Sequence, residues 1–280
     1  MNHQSPPLAS LPIGVFDSGV GGLSILREIR RQLPREDLVY LADTHNLPYG
    51  PRSLAEVFGF SRAITGFFLE LPVKMVVVAC NTASAASLKQ LRLLFPAIPF
   101  VGMEPAVKPA AHDSQTGKVG VLATAATFQG ELYESVVERF AREVKVIQQP
   151  CPGLADFIEA NAPAYPGIEQ ILHPWLAPLL AAGIDHLVLA CTHYSLVKEE
   201  IQRLVGPGVK VIDPSPAIAR RVGQVLAERG ELAPAGGKTL FLATGAPAAF
   251  AAAAGAILGE KVLAQSAAPA FPPGSLDKSS

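Results

Sequence analysis

The sequence has few cysteines and no excess of either charge. Its 280 residues include three cysteines, 23 basic and 24 acidic side chains, which give a net charge of -1. An odd number of widely spaced cysteines offers neither a disulfide framework nor a Cys-x-x-Cys metal site. The balanced charge gives no field that would gather nucleic acid or an anionic membrane. Small molecules are therefore the expected ligands.

Long apolar runs are also missing. No segment approaches the ~18 consecutive apolar residues of a membrane span, and residues 1–12 lack the pattern of a signal peptide. These absences predict a soluble cytoplasmic protein with free thiols. No metal site is expected, because five of the six histidines show no ligand spacing. These five are His3, His45, His112, His173 and His186.

Short apolar runs that alternate with helix-period segments predict βαβ units and a mainly parallel sheet. The fold class is therefore α/β, and a 49% hydrophobic composition suffices for a large core. The predicted strands are 13–16, 38–41, 75–79, 119–122, 187–190, 209–212 and 240–243. The predicted helices begin near Gly21, Ser53, Ser84, Thr127, Gly167, Leu196 and Ala217.

The sequence contains an internal repeat. IGVFDS at residues 13–18 returns as VGVLAT at 119–124, VACN at 78–81 returns as LACT at 189–192, and Pro-Ala occurs at 105–106 and 216–217. The repeat predicts two similar, doubly wound parallel-sheet domains related by pseudo-symmetry, with the active site in the cleft between them. The predicted division is 1–105 plus 215–264 for the first domain, 106–214 for the second, and 265–280 for a loose tail.

Polar residues follow several of the predicted strands. Ligands of parallel sheets bind at the carboxyl ends of strands, where helix N-termini present unpaired N–H groups. Because the repeat makes the two domains equivalent, each domain would place one cysteine in the cleft, and the two cysteines would lie on opposite sides of a ligand. The positions selected in this way are Asp17, Ser18, Cys80, Asn81, Thr82, Thr124, Cys191, Thr192 and His193.

Two cysteines on opposite sides of a ligand suggest a particular chemistry. Inverting a stereocentre without a redox cofactor requires one group to remove a proton from one face and another to deliver a proton to the opposite face. One thiolate and one thiol suit this task and would titrate as a coupled pair. A free thiol has a pKa of about 8.5, so we expect the helix N-terminus after each cysteine to stabilise the thiolate.

The segments GVFDSGVGGL at 14–23, PYG at 48–50, ACNTAS at 79–84 and CTHY at 191–194 together resemble the glutamate racemases. The similarity extends over residues 12–260. It implies cofactor-independent interconversion of L-glutamate and D-glutamate, with no pyridoxal phosphate, metal or nucleotide. It further implies a homodimer whose product supplies bacterial peptidoglycan synthesis.

The resemblance also assigns roles to residues. It implies that Cys80 removes the proton from the D-enantiomer and Cys191 from the L-enantiomer, assisted by Asp17 and His193 respectively. Glu159, which ends the segment CPGLADFIE, is a further assisting residue. His193 favours glutamate over aspartate, since related aspartate racemases tend to have glutamate there. The implied substrate contacts are Asp17, Ser18, Pro48, Tyr49, Gly50, Asn81, Thr82, Thr124, Thr192 and His193.

Other interpretations remain open at the level of sequence. Cys151 has no counterpart in the repeat and is interpreted as a buried structural residue. The glycines Gly19, Gly21 and Gly22 do not form a nucleotide-binding motif and suggest close backbone packing around a small anion such as a carboxylate. The alternative functions are a racemase of aspartate or a hydantoin, a binding protein that closes on an acidic amino acid, and a cysteine hydrolase.

Overall fold

The computed structural model describes residues 7–140 and 144–269, and its strands form two parallel sheets. The strands of the described part are β1 (Ile13–Asp17), β2 (Leu38–Ala42), β3 (Met75–Val78), β4 (Phe100–Gly102), β5 (Lys118–Ala123), β6 (Lys145–Pro150), β7 (His186–Ala190), β8 (Lys210–Ile212), β9 (Thr239–Ala243) and β10 (Ala264–Ser266).

The repeat seen in the sequence is present in the strand order. The first sheet runs β10-β9-β2-β1-β3-β4 and the second runs β6-β5-β7-β8. Four strands of the first sheet, β2-β1-β3-β4, therefore have the same order as the whole second sheet. The α/β class and parallel sheets are confirmed, and β9 returns the end of the chain to the first sheet by pairing with β2.

Helices connect and cover the strands. They are α1 (Leu23–Gln32), α2 (Leu54–Glu70), α3 (Asn81–Leu94), α4 (Val107–Asp113), α5 (Ala125–Phe128), α6 (Glu131–Phe140), α7 (Leu154–Asn161), α8 (Ile168–Ala181), α9 (Thr192–Ser195), α10 (Lys198–Val205), α11 (Ser215–Arg229) and α12 (Pro247–Leu258), and a 3-10 turn spans Leu8–Ser10. Among the described residues, none of these helices has the length and apolar character needed to cross a membrane.

The chain crosses between the two sheets after β4 and again after β8. Helix α4 follows the first sheet but packs on β5 and β7 of the second, while α11 follows the second sheet and packs against α1 and β4 of the first. The two Pro-Ala echoes lie at these crossings. Each sheet has its own buried apolar residues on both faces, which form separate core clusters.

All seven predicted strands are present, but three observed strands were not predicted. Strand β4 has only three residues, and β6 reads KVIQQP with mostly exposed or half-buried side chains, so neither shows the apolar run of a buried strand. Strand β10 pairs with β9 at residues 264–266, which extends the sheet into the segment predicted to be a loose tail. Residues 270–280 lie outside the described residues.

An ion pair is buried at the opposite end of the first sheet from the cavity described below. Lys74 Nζ lies 2.5 Å from Glu36 Oε2 and also donates to the carbonyls of Ala9 and Glu231. Glu36 in turn accepts the backbone N–H of Ala233. The pair therefore joins the beginning of the chain and the segment after α11 to the strands between them.

We expect Lys74→Met to destabilise the protein by about 3–5 kcal/mol, because Glu36 would remain buried without a positive partner. The shift of the urea unfolding midpoint measures this. Lys89→Met is the matched control: Lys89 and Glu131 form an ion pair whose side chains are 73% and 79% exposed, so no measurable shift is expected. Equal shifts in the two variants would contradict the importance of the buried pair.

Candidate active site

A cavity of about 330 Å³ lies where the carboxyl ends of both sheets meet. The part of the chain that carries the first sheet, called the first half below, contributes the ends of β1 and β3 and the loop after β2. The part that carries the second sheet, called the second half, contributes the ends of β5, β6 and β7. Its lining residues are Ser18, Leu47, Pro48, Tyr49, Gly50, Pro51, Cys80, Asn81, Thr82, Thr124, Ala125, Pro150, Cys151, Pro152, Gly153, Ala155, Asp156, Cys191, Thr192 and His193.

The cavity brings together all of the residues suggested by the sequence except two. Asp17 and Glu159 are not among its lining residues. Asp17 is fully buried beside Cys80, and Glu159 lies behind His193. Both carboxylates contact side chains that line the cavity, Asp17 through Thr192 and Glu159 through His193.

Cys80 is held at the junction between β3 and α3. It is the N-cap of α3, and its Sγ accepts the backbone N–H of Ala83 at 3.5 Å. Burial and then the negative charge of Asp17 raise the pKa of Cys80 well above its usual value, despite that hydrogen bond. The expected stabilisation of this thiolate by the helix N-terminus is thus outweighed, and Cys80 is held as a thiol.

Asp17 is the last residue of β1 and is fully buried. Its Oδ2 accepts the N–H of Gly22 at 2.7 Å and lies 3.4 Å from the hydroxyl of Thr192. Burial raises the pKa of Asp17, while the positive charge of His193 and the hydrogen bond from Gly22 act to lower it. A carboxyl group in this position can take a proton from Cys80 and return it.

Cys191 has a different set of neighbours. Its Sγ lies 3.9 Å from His193 Nδ1, and His193 Nε2 lies 2.8 Å from Glu159 Oε2. Burial lowers the pKa of His193, but the hydrogen bonds and negative charges of Cys191 and Glu159 outweigh it and raise that pKa well above its usual value. The imidazole is therefore held positively charged beside the sulfur.

The helix that follows Cys191 contributes less than the sequence suggested. Helix α9 has only four residues, and the Cys191 side chain accepts no capping hydrogen bond from it. Such a short helix has little macrodipole. The positive charge beside Cys191 is that of His193 instead.

The glycine cluster after β1 makes room for the other half of the protein. A Cβ built at Gly21 would lie 2.6 Å from both His193 Nδ1 and Thr192 Oγ1, and one built at Gly19 would overlap the Glu159 carboxylate. The sequence suggested packing around a small anion. The close neighbours are instead protein side chains, one of them the anionic carboxylate of Glu159.

Several polar groups on the cavity wall are placed to meet a ligand. Asn81 is 3% exposed, and neither its amide nitrogen nor its carbonyl oxygen has a hydrogen-bond partner in the protein. The hydroxyls of Thr82 and Thr124 lie 3.0 Å apart, and Thr124 lies 2.9 Å from the hydroxyl of Thr127. Buried polar atoms are normally satisfied, so the Asn81 amide is available to a bound molecule.

Tyr49 contributes to the wall in another way. Its hydroxyl donates to Asp43 at 2.6 Å, and Asp43 also accepts from Asn46 and from Thr244, which follows β9. Burial raises the pKa of Asp43. The Tyr49 hydroxyl is thus committed to the protein, which leaves its ring and the neighbouring loop to face the cavity.

The segment from Pro150 to Asp156 was not anticipated as part of the wall. It lies at the carboxyl end of β6, and the sequence did not predict this strand because KVIQQP has no apolar run. Cys151, interpreted from sequence as structural, is buried but also lines the cavity, and burial raises its pKa to about 12. Asp156 places an exposed carboxylate on the same wall.

The fold and the site define an α/β protein that presents one thiol from each half to a shared cavity. The model of the Asp/Glu/Hydantoin racemase family matches residues 13–222. A glutamate racemase of Stutzerimonas stutzeri is 44% identical over 254 residues, which are 91% of this chain and 96% of that protein. The chain belongs to the Asp/Glu/Hydantoin racemase family.

Solved structures agree with the family assignment. A glutamate racemase isoform of Bacillus anthracis superimposes with a TM-score of 0.85 at 35% identity, over 92% of this chain and 97% of that chain. The glutamate racemase of Francisella tularensis, solved in complex with D-glutamate, gives a TM-score of 0.83 at 29% identity, over 93% and 98%. The similarity therefore extends across both sheets.

We expect iodoacetamide to alkylate Cys191 before Cys80 and Cys151, because Cys191 lies beside a protonated imidazole and the other two thiols have raised pKa values. Peptide mass spectrometry measures the three rates between about pH 7 and about pH 10. Asp17→Asn removes the negative charge beside Cys80, so labelling of Cys80 should begin at lower pH. Faster labelling of Cys80 than of Cys191 at neutral pH would contradict this assignment.

Gly21→Ala should displace His193, because the new methyl group would overlap both the imidazole and Thr192. The expected cost is about 1–3 kcal/mol, seen in the urea midpoint, together with slower alkylation of Cys191. The matched control is Gly66→Ala in α2, where a Cβ meets nothing within 4 Å. That change should stabilise the helix by about 0.5–1 kcal/mol, and a similar loss in both variants would argue against a steric role for Gly21.

Proposed function

We propose that this protein is an isomerase that interconverts L-glutamate and D-glutamate without a cofactor. The observation that carries the proposal is that Cys80 and Cys191, from equivalent strand ends of the two halves, line the same cavity. A reaction that inverts a stereocentre needs one proton-transfer group on each face of the carbon. Two related strand ends supply such a pair without requiring a metal or a prosthetic group.

The nature of the substrate rests on the relatives and on the wall of the cavity. A relative that is similar over both sheets binds D-glutamate. Here the free amide of Asn81 and the hydroxyls of Ser18, Thr82, Thr124 and Thr192 supply donors and acceptors for carboxylate and ammonium groups. Pro48, Tyr49 and Gly50 also line the cavity and offer apolar surface against which an aliphatic side chain can pack.

In the direction from L-glutamate, Cys191 begins as the thiolate, favoured by the positive charge of His193. Cys191 takes the α-proton, and the electron pair of the broken C–H bond stays on the substrate, delocalised into its carboxyl group. Cys80, held as a thiol, gives its proton to the opposite face of the same carbon. The products are D-glutamate, a Cys191 thiol and a Cys80 thiolate.

In the direction from D-glutamate, the two cysteines exchange roles. Cys80 must first lose its proton, and the buried carboxyl group of Asp17 is the neighbour able to hold it. The imidazolium of His193 at the same time gives its proton to Cys191, so that Cys80 can remove the α-proton and Cys191 can protonate the other face. Asp17 acts on Cys80 and Glu159 acts on His193, and neither carboxylate lines the cavity. His193 both lines it and stabilises the charge on Cys191.

The same family relationship supports the remaining expectations. D-glutamate from this reaction serves peptidoglycan synthesis in the cytoplasm, and the active form is a homodimer. The order β2-β1-β3-β4, repeated in β6-β5-β7-β8, supports a division into one domain of residues 1–105 with 215–264 and a second of residues 106–214. The crossings at α4 and α11 coincide with these boundaries.

The decisive experiment follows L-glutamate in deuterated water with protein freed of metal and pyridoxal phosphate. We expect optical rotation to fall towards zero while deuterium enters at Cα. Cys80→Ser and Cys191→Ser should each reduce racemisation by about 10²–10⁴-fold, because each removes one acid/base group. Cys151→Ser is the matched control, and it should reduce the rate far less.

The single variants also separate the two faces. Cys191→Ser should still exchange the α-proton of D-glutamate for deuterium without inversion, and Cys80→Ser should do the same for L-glutamate. Aspartate and a hydantoin are tested in parallel to decide the substrate. Binding of glutamate with no α-proton exchange would instead favour a binding protein, and exchange on aspartate alone would make it an aspartate racemase.

A further inference from the structure

Tyr40 lies in the core of the first sheet, yet its hydroxyl reaches the loop after β1. It is fully buried in β2, its ring stacks on Phe250 with centroids 5.9 Å apart, and its hydroxyl donates to the carbonyl of Gly19 at 2.7 Å. Tyr40 is not among the residues that line the cavity. Its polar end therefore acts on the backbone and does not touch a ligand.

The carbonyl of Gly19 shares a peptide group with the N–H of Val20. That N–H donates to Glu159 Oε2 at 2.8 Å. Because a trans peptide is planar with its C=O and N–H pointing in opposite directions, the two hydrogen bonds fix the plane from both sides. Each bond also polarises the peptide and strengthens the other.

Glu159 passes this constraint to the second half of the site. The same oxygen, Oε2, lies 2.8 Å from His193 Nε2, and His193 Nδ1 lies 3.9 Å from Cys191 Sγ. A continuous series of polar contacts thus runs from the Tyr40 hydroxyl through one peptide group and Glu159 to the imidazole. Tyr40 belongs to the first sheet, whereas Glu159 and His193 belong to the second half.

Two further observations fit this arrangement. Gly19 lies so close to Glu159 that a Cβ at this position would overlap the carboxylate. Only a glycine therefore allows the peptide to approach Glu159 this closely. Burial and then the negative charge of Asp17 raise the pKa of Tyr40 well above its usual value. The hydroxyl therefore keeps its proton and remains a donor at neutral pH.

We propose that Tyr40 is a positioning residue for the acid/base group at Cys191: its hydroxyl orients the Gly19–Val20 peptide, which holds Glu159 against His193. The proposal rests on the proposed function for its effect on catalysis. Its effect on His193 can be observed whether or not the protein is a racemase. The Tyr40 hydroxyl, in the first half, thereby influences the protonation of His193 in the second half.

The first test is Tyr40→Phe, which keeps the stacked ring and removes only the hydroxyl. The pKa of His193, followed by NMR of its ring, should fall, because Glu159 is one of the groups that raise it. The kcat for L-glutamate should fall about 10-fold, the order of one net hydrogen bond, with little change in KM because Tyr40 is outside the cavity. Tyr133→Phe, a buried tyrosine of the second sheet's core, is the matched control and should change neither quantity.

A double-mutant cycle tests whether Tyr40 acts through Glu159. If it does, Tyr40→Phe should have little additional effect on kcat in the Glu159→Gln background, so the two changes are not additive. Additive effects would overturn the proposal. A lowered thermal midpoint with an unchanged His193 pKa would also overturn it, since that is the signature of a purely structural role.

If Tyr40→Phe does not fold, 3-fluorotyrosine at position 40 provides the second test. Fluorine makes the phenol a stronger donor without removing it, so the pKa of His193 should change. An unchanged pKa would overturn the proposal. A protein without racemase activity that still shows these shifts would refute the proposed function and leave the positioning role of Tyr40 intact.

Discussion

The pairing of buried charges where the two halves meet is the constraint on which the rest of the site depends. Asp17, Glu159 and His193 are ionisable and lie in or beside buried positions, where an isolated charge is costly. Asp17 and Glu159 each accept a backbone N–H of the loop after β1, and His193 pairs with Glu159. The halves must therefore stay in register, and the glycines of that loop permit this close approach.

The two halves share a fold but differ in their electrostatics. Cys80 follows β3, which pairs with β1 in the first sheet, and Cys191 follows β7, which pairs with β5 in the second sheet. Cys80 faces a carboxylate, whereas Cys191 faces a protonated imidazole. A symmetrical scaffold thus holds one thiol protonated and places a positive charge beside the other, and this difference in environment suits a two-base reaction.

The wall of the cavity shows which polar groups are left for a ligand. The hydroxyl of Tyr49 is used by Asp43, whereas the hydroxyls of Thr82 and Thr124 contact each other between the two halves and also border the cavity. The amide of Asn81 is buried and has no partner in the protein. The chain thus satisfies most of its own polar groups and leaves a small number for recognition, as is typical of small-molecule sites.

The sequence by itself determined the class, the repeat and the two cysteines, because apolar runs mark buried parallel strands and polar residues at their carboxyl ends mark the site. It did not reveal β6 and the wall that follows it, since an exposed edge strand has no apolar run. The partners of the glycines and the series from Tyr40 to His193 appeared only in the tertiary structure. These contacts join residues 21, 139 and 34 positions apart, and spacing along the chain carries no information about such distances in space.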